Sequence, residues 1–70
     1  MNENLPLGSV IKIENRKEKY IILGKNIKHE NKSYDYMCGI YPYGLVLGER
    51  LHYFQDEQVK SLCSLGNINY

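Results

Sequence analysis

Turn-forming residues break this chain into short apolar segments, and that punctuation constrains the fold more than any other feature. From Val10 to Glu14 the pattern alternates. Ile11 and Ile13 fall on one face and Val10, Lys12 and Glu14 on the other, as in a half-buried strand. The charged tip RKEK leads into a second strand, KYIILGKNIKH, whose core is the continuous run Tyr20 to Leu23. β-Branched and aromatic residues dominate that run. Gly24 directly after it marks a bulge or bend. HENKS, with Asn31, suits a hairpin tip. YDYMCGIY then predicts a third strand, with Tyr34, Tyr36, Cys38 and Ile40 on one face and Asp35, Met37, Gly39 and Tyr41 on the other. Pro42 cannot donate a ladder hydrogen bond and ends it. A loop bounded by Gly44 and Gly48 follows, then a short strand LHYF, a helical turn at QDEQV and a last strand VKSLCSLG. Asp56 or Gln55 can cap the turn, with acids in its first residues.

These segments predict an all-β chain, a small SH3-like, partly open barrel of four to five strands with one short helical turn. A flat meander with a helix on one side is the alternative. At 70 residues the chain makes one domain, residues 1–70, with 1–4 and 67–70 expected as flexible tails. A chain this small buries only about 60 % of its unfolded surface, so its stability margin is thin. Hydrophobic residues make up 43 % and charged residues 24 %, a mix that argues against global disorder.

The formal net charge is +1, so nothing draws the chain strongly to nucleic acid or an anionic membrane. There is no run of about 18 apolar residues and no basic segment followed by a long apolar core, so neither membrane insertion nor a secretory signal is expected. The expected compartment is the cytoplasm, with export by a signal-independent route left open. Cys38 and Cys63 lie 25 residues apart and are expected as reduced, buried small hydrophobes rather than a bridge.

No constellation of residues carries chemistry. Cys38 or Cys63 with His29 or His52 would need a base within hydrogen-bond reach, and the spacing places no such pair together. The same four residues are 9, 14 and 11 positions apart, without the close-spaced pair of a zinc site. Asp56 and Glu57 suit the start of a helical turn. Asp35, between tyrosines, reads as the outward residue of an alternating strand rather than a buried, hydrogen-bonded acid. No catalytic residue, cofactor or metal is therefore expected. Single-stranded nucleic-acid binding is the rival function, since small β-barrels use aromatics on a basic surface and lysines crowd the first half of this chain. Acids interleave in ENRKEK and KHENK, which read instead as solvated tips.

The densest aromatic stretch is SYDYMCGIYPYGL, with four of the seven tyrosines. Tyr34 and Tyr36 share a face and are expected to be structural. Tyr41 and Tyr43 flank Pro42 beside Gly44, and loop aromatics pinned by proline and glycine are better placed to meet a partner. Tyr41, Pro42, Tyr43 and Gly44 are therefore the candidate partner-binding residues.

In order, LPLGSVIKI, KYIILG, YDYMCGIYPYGL and HYFQDEQVKSLCSLG resemble a small family from Gram-positive bacteria, the domain-of-unknown-function family numbered 4176. The likeness runs from about residue 5 to 66. It takes in Leu5, Pro6, Gly8, Ser9, Val10, Gly24, Tyr34, Asp35, Tyr36, Tyr41, Pro42, Gly44, Phe54 and Gly66. Where that family usually has a glutamate between proline and glycine, this chain has Tyr43. Such proteins are encoded near type VII secretion systems and their LXG-type toxins. The resemblance implies a non-enzymatic accessory or adaptor acting by protein–protein contact, with a secretion substrate or component as partner. A homo-oligomer is compatible with it.

Overall fold

The computed structural model describes residues 5–42 and 50–66. Five strands form in chain order: β1 (Val10–Ile13), β2 (Lys19–His29), β3 (Lys32–Ile40), β4 (His52–Phe54) and β5 (Val59–Ser64). A single 3-10 turn, Asp56–Gln58, stands between β4 and β5. All strand pairs are antiparallel, in one sheet of order β4-β3-β2-β1-β5. The fold is therefore all-β, with five strands, within the expected four to five, and the expected helical turn. β4 and β5 lie at the two ends of that order and are not paired with each other, so the sheet stays open and is not closed into a barrel.

The sheet curls because its apolar residues must meet. Ile11 and Ile13 of β1, Tyr20 and Ile22 of β2, Tyr36 and Cys38 of β3, Phe54 of β4 and Val59 of β5 form one buried cluster, joined by Leu5. A flat sheet cannot gather side chains from all five strands into one core. The alternation in β1 holds for Ile11 and Ile13, at 0 % and 1 % exposure. Val10 is buried as well, so β1 is covered on both faces at that end. Tyr20 packs edge-on against Phe54, ring centroids 4.9 Å apart at 68°, one of the favourable geometries for aromatic pairs. Arg16, in the charged tip before β2, folds back so that its guanidinium lies 5.3 Å from the Phe54 centroid.

Turn chemistry fixes the registers. Glu30 and Asn31 both have positive φ, 50° and 65°, between the paired residues His29 and Lys32. Two positive-φ residues between paired strands are the signature of a two-residue type I′ hairpin, whose twist matches that of the strands. The register of β2 on β3 slips between Ile22 and Gly24, the bulge that the glycine predicts. A Cβ on Gly24 would stand 3.1 Å from Met37 Cε and 3.3 Å from Ile27 Cδ1, so the bend is also closely packed.

The segment before β1 and the residues after β5 hold each other. Gly8, at φ 87°, donates its N–H to the Ile22 carbonyl, and Ile22 N–H donates to the Ser9 carbonyl, which extends the ladder beyond β1. Ser9 is fully buried, and its Oγ accepts a hydrogen bond from Gly66 N–H at 2.9 Å. A Cβ on Gly66 would fall 2.1 Å from the Leu7 carbonyl oxygen and 2.6 Å from Ser9 N, so only glycine fits there.

Candidate partner-binding surface

The polar groups that sequence reasoning weighed for chemistry are largely taken up by the fold. The Tyr36 hydroxyl donates to Asp56 Oδ1 at 2.7 Å and accepts from Leu5 N–H at 3.3 Å. Asp35 Oδ2 accepts from Asp56 N–H at 2.7 Å. Asp35 is thus not merely the outward residue of an alternating strand. It is a partly buried acid that caps the 3-10 turn, because β4 brings the start of that turn alongside β3. Gln55 completes the joint: its Nε2 donates to the Ser33 carbonyl and its N–H donates to Gln58 Oε1, each at 2.7 Å. Burial, and then the hydrogen bond to the Asp56 carboxylate, push the Tyr36 hydroxyl up to about 12.

The two cysteines part company. Cys38 is fully buried, as expected, and burial pushes its thiol up to about 12. Cys63 is exposed, contrary to the expectation of burial. The register explains it. Val10 faces Ser64 and Ile11 faces Leu62, which leaves Cys63 as the extra residue of a bulge in the edge strand β5. Both thiols are free.

One Cys–His juxtaposition that spacing does not reveal arises in the ladder. Cys38 and His52 are direct partners across β3 and β4. The thiolate is the nucleophilic form, and burial holds Cys38 in the thiol form. His52 packs edge-on to Tyr20 at 5.1 Å. Among the described residues no group of three or more His, Cys, Asp or Glu side chains is placed to hold a metal ion.

Of the four candidate partner-binding residues, Tyr41 and Pro42 fall within the described residues, and Tyr43 and Gly44 lie outside them. Tyr41 is 44 % exposed, yet its backbone is fixed: its N–H donates to the Lys19 carbonyl at 2.8 Å, one step beyond the last β3 residue. Pro42 is exposed, and the Tyr41–Pro42 peptide bond is cis. Tyr36 is structural as expected, at 1 % exposure, whereas Tyr34 is only half-buried.

A second aromatic surface is absent from the sequence reading. The His29 imidazole stacks on the Tyr53 ring, centroids 4.2 Å apart and planes 9° from parallel. Tyr34 lies 5.5 Å from Tyr53, and the Lys32 ammonium stands 5.6 Å from the centroid of Tyr34. His29 and Tyr53 also line a groove of about 600 Å³ together with Glu30, Arg50 and Leu51. His29 and Tyr53 are 24 positions apart, on strands that are not neighbours in the sheet. No local pattern marks them as partners. The available signal was compositional: a histidine at the end of one strand and a tyrosine in the middle of a short one.

The geometry defines a small open-sheet β module with an exposed aromatic at Tyr41, a half-buried aromatic cluster at His29, Tyr34 and Tyr53, and Tyr36, Asp35 and Cys38 tied into the frame. The chain belongs to the family described as Domain of unknown function (DUF4176), whose model matches residues 4–69. No curated protein and no solved structure matches it. No helix among the described residues is long and apolar enough to cross a membrane.

Proposed function

We propose that this chain is a non-enzymatic adaptor that acts in type VII secretion of LXG-type toxins, in the cytoplasm, by direct protein–protein contact. The single observation that carries the reading is Tyr41, an exposed aromatic on a backbone held by the sheet ladder. An anchored aromatic loses little conformational freedom on binding, and aromatic anchors contribute disproportionately to interfaces. The burial of Cys38 and the engagement of Tyr36, Asp35 and Asp56 in the frame favour this reading over a catalytic one.

Co-expression with the LXG-type protein encoded beside it, followed by size-exclusion chromatography, tests the reading. The two chains are expected to co-elute. Tyr41→Ala is expected to weaken that complex while leaving the circular dichroism spectrum unchanged. Separate elution of the wild-type chains overturns the adaptor reading, and a complex indifferent to Tyr41→Ala overturns the assignment of Tyr41.

A further inference from the structure

We propose that the groove between the β2–β3 hairpin tip and the approach to β4 is a second docking site, and that its occupant is an acidic segment of a partner polypeptide. The groove is lined by His29, Glu30, Arg50, Leu51 and Tyr53, and its volume of about 600 Å³ is that of a ligand-sized cleft. Its floor is flat and aromatic where His29 stacks on Tyr53. Leu51 adds an aliphatic wall. Such a surface takes an apolar side chain.

Charge selects the sign of what comes with it. Glu30 lies 3.7 Å from His29 Nε2, an ion pair only when the imidazole carries a proton. Arg50 is exposed and has no carboxylate within ion-pair distance among the described residues. Lys32 is the direct ladder partner of His29 and adds a second cation on that face. Among the described residues, the groove therefore offers a guanidinium without a carboxylate partner beside an apolar floor. A guanidinium presents a planar fork of N–H donors that matches a carboxylate. An acidic residue next to a leucine satisfies both features at once.

Single-stranded nucleic acid fits less well. It needs a run of cations that tracks successive phosphates, and here the described lining offers the single guanidinium of Arg50, with Lys32 nearby, in a chain of net charge +1. This site is separate from Tyr41 and does not depend on the LXG assignment.

The probe is the capped peptide acetyl-Ser-Glu-Leu-Glu-Ser-amide, titrated into the isotopically labelled full chain and followed by two-dimensional NMR. Saturable shifts are expected at His29, Arg50, Leu51 and Tyr53 in the millimolar range, with Tyr41 unmoved. The same peptide with Gln for Glu is expected to bind about two- to fivefold more weakly, the scale of an exposed ion pair. Arg50→Gln, at an exposed position, is expected to erase that difference and keep the fold. Twelve-residue oligothymidylate serves as the rival probe. Absence of saturation, equal affinity of the Glu and Gln peptides, or stronger shifts of the same resonances with oligothymidylate each overturns the proposal.

Discussion

Cys63 and Cys38 show how much a single position in a ladder decides. One projects from a bulge in an edge strand, and the other lies in the core with no exposed surface. Native protein is therefore expected to react with a thiol reagent at one site per chain, and denatured protein at two. Mass spectrometry of the labelled chain should place the native label on Cys63, and rapid labelling of Cys38 without denaturant would contradict its burial. Tyr36 makes a complementary case. Its ring fills the core while its hydroxyl ties the chain before β1 to the 3-10 turn, through Leu5 and Asp56. Tyr36→Phe keeps the ring and leaves the carboxylate and the amide without that partner, which should cost about 1–2 kcal/mol. Tyr36→Ala also empties the ring's site and should cost about 3 kcal/mol or more. Urea melts of the two variants separate the contributions. A Tyr36→Phe variant as stable as the wild type would mean that the hydroxyl network contributes nothing, and equal losses in the two variants would mean that the ring contributes nothing.

At the scale of strands and turns, the type I′ hairpin is the place where local chemistry and geometry disagree. Asn31 suits a positive φ, and Glu30 does not. Glu30→Asn should stabilise the protein by about 1 kcal/mol, read as a higher urea midpoint at an unchanged slope. A lower midpoint would mean that the contact between Glu30 and His29 outweighs the backbone strain. This turn was legible in the sequence, as was the bulge at Gly24. Each is dictated by residues adjacent in the chain. The alternation of Ile11 with Ile13, and of Tyr36 with Cys38, also marked the core face correctly. Three features escaped: the capping role of Asp35, the exposure of Cys63 and the stack of His29 on Tyr53. Each depends on which residue of a distant segment lies opposite, and register across such distances is set by packing of the whole sheet. The candidate site divides along the same line. Tyr41 and Pro42 announced themselves through local turn chemistry, while the groove is assembled from a hairpin tip and the approach to another strand. The bulges of β5 have a use of their own. Lys60, like Cys63, is the extra residue of one, since Lys12 faces Ser61 and Ile13 faces Val59. Bulges and an outward lysine twist and charge an edge, and they discourage other strands from pairing there.

For the molecule as a whole, the two raised groups predict how it fails in alkali. A thiol or phenol whose folded pKa lies above its unfolded value keeps its proton in the native state after the unfolded chain has lost its own. The associated stability is fully present below the unfolded pKa and is lost as pH rises toward the folded one. Cys38 rises from 9.0 to about 12 and Tyr36 from 10.0 to about 12. The urea midpoint should accordingly hold steady up to about pH 9 and fall between there and about pH 12. Cys38→Ala removes the earlier-titrating group, so the decline in that variant should begin nearer pH 10. A wild-type midpoint that stays flat through this interval would show that neither proton is held by the fold.

The clasp of Ser9 on Gly66 has a further consequence, for the order in which the strands need to be synthesised. Because residues 7–9 touch residue 66, the two ends of the described chain meet at one spot on the molecule. A short linker across that spot, with a new opening at the exposed Lys17 in the tip between β1 and β2, gives a circular permutant that runs β2-β3-β4-β5-β1. Every strand keeps its neighbours in that permutant. What changes is which contact must form across the greatest length of chain: β1 would follow β5 directly, and the hairpin of β1 with β2 would become the closing pair.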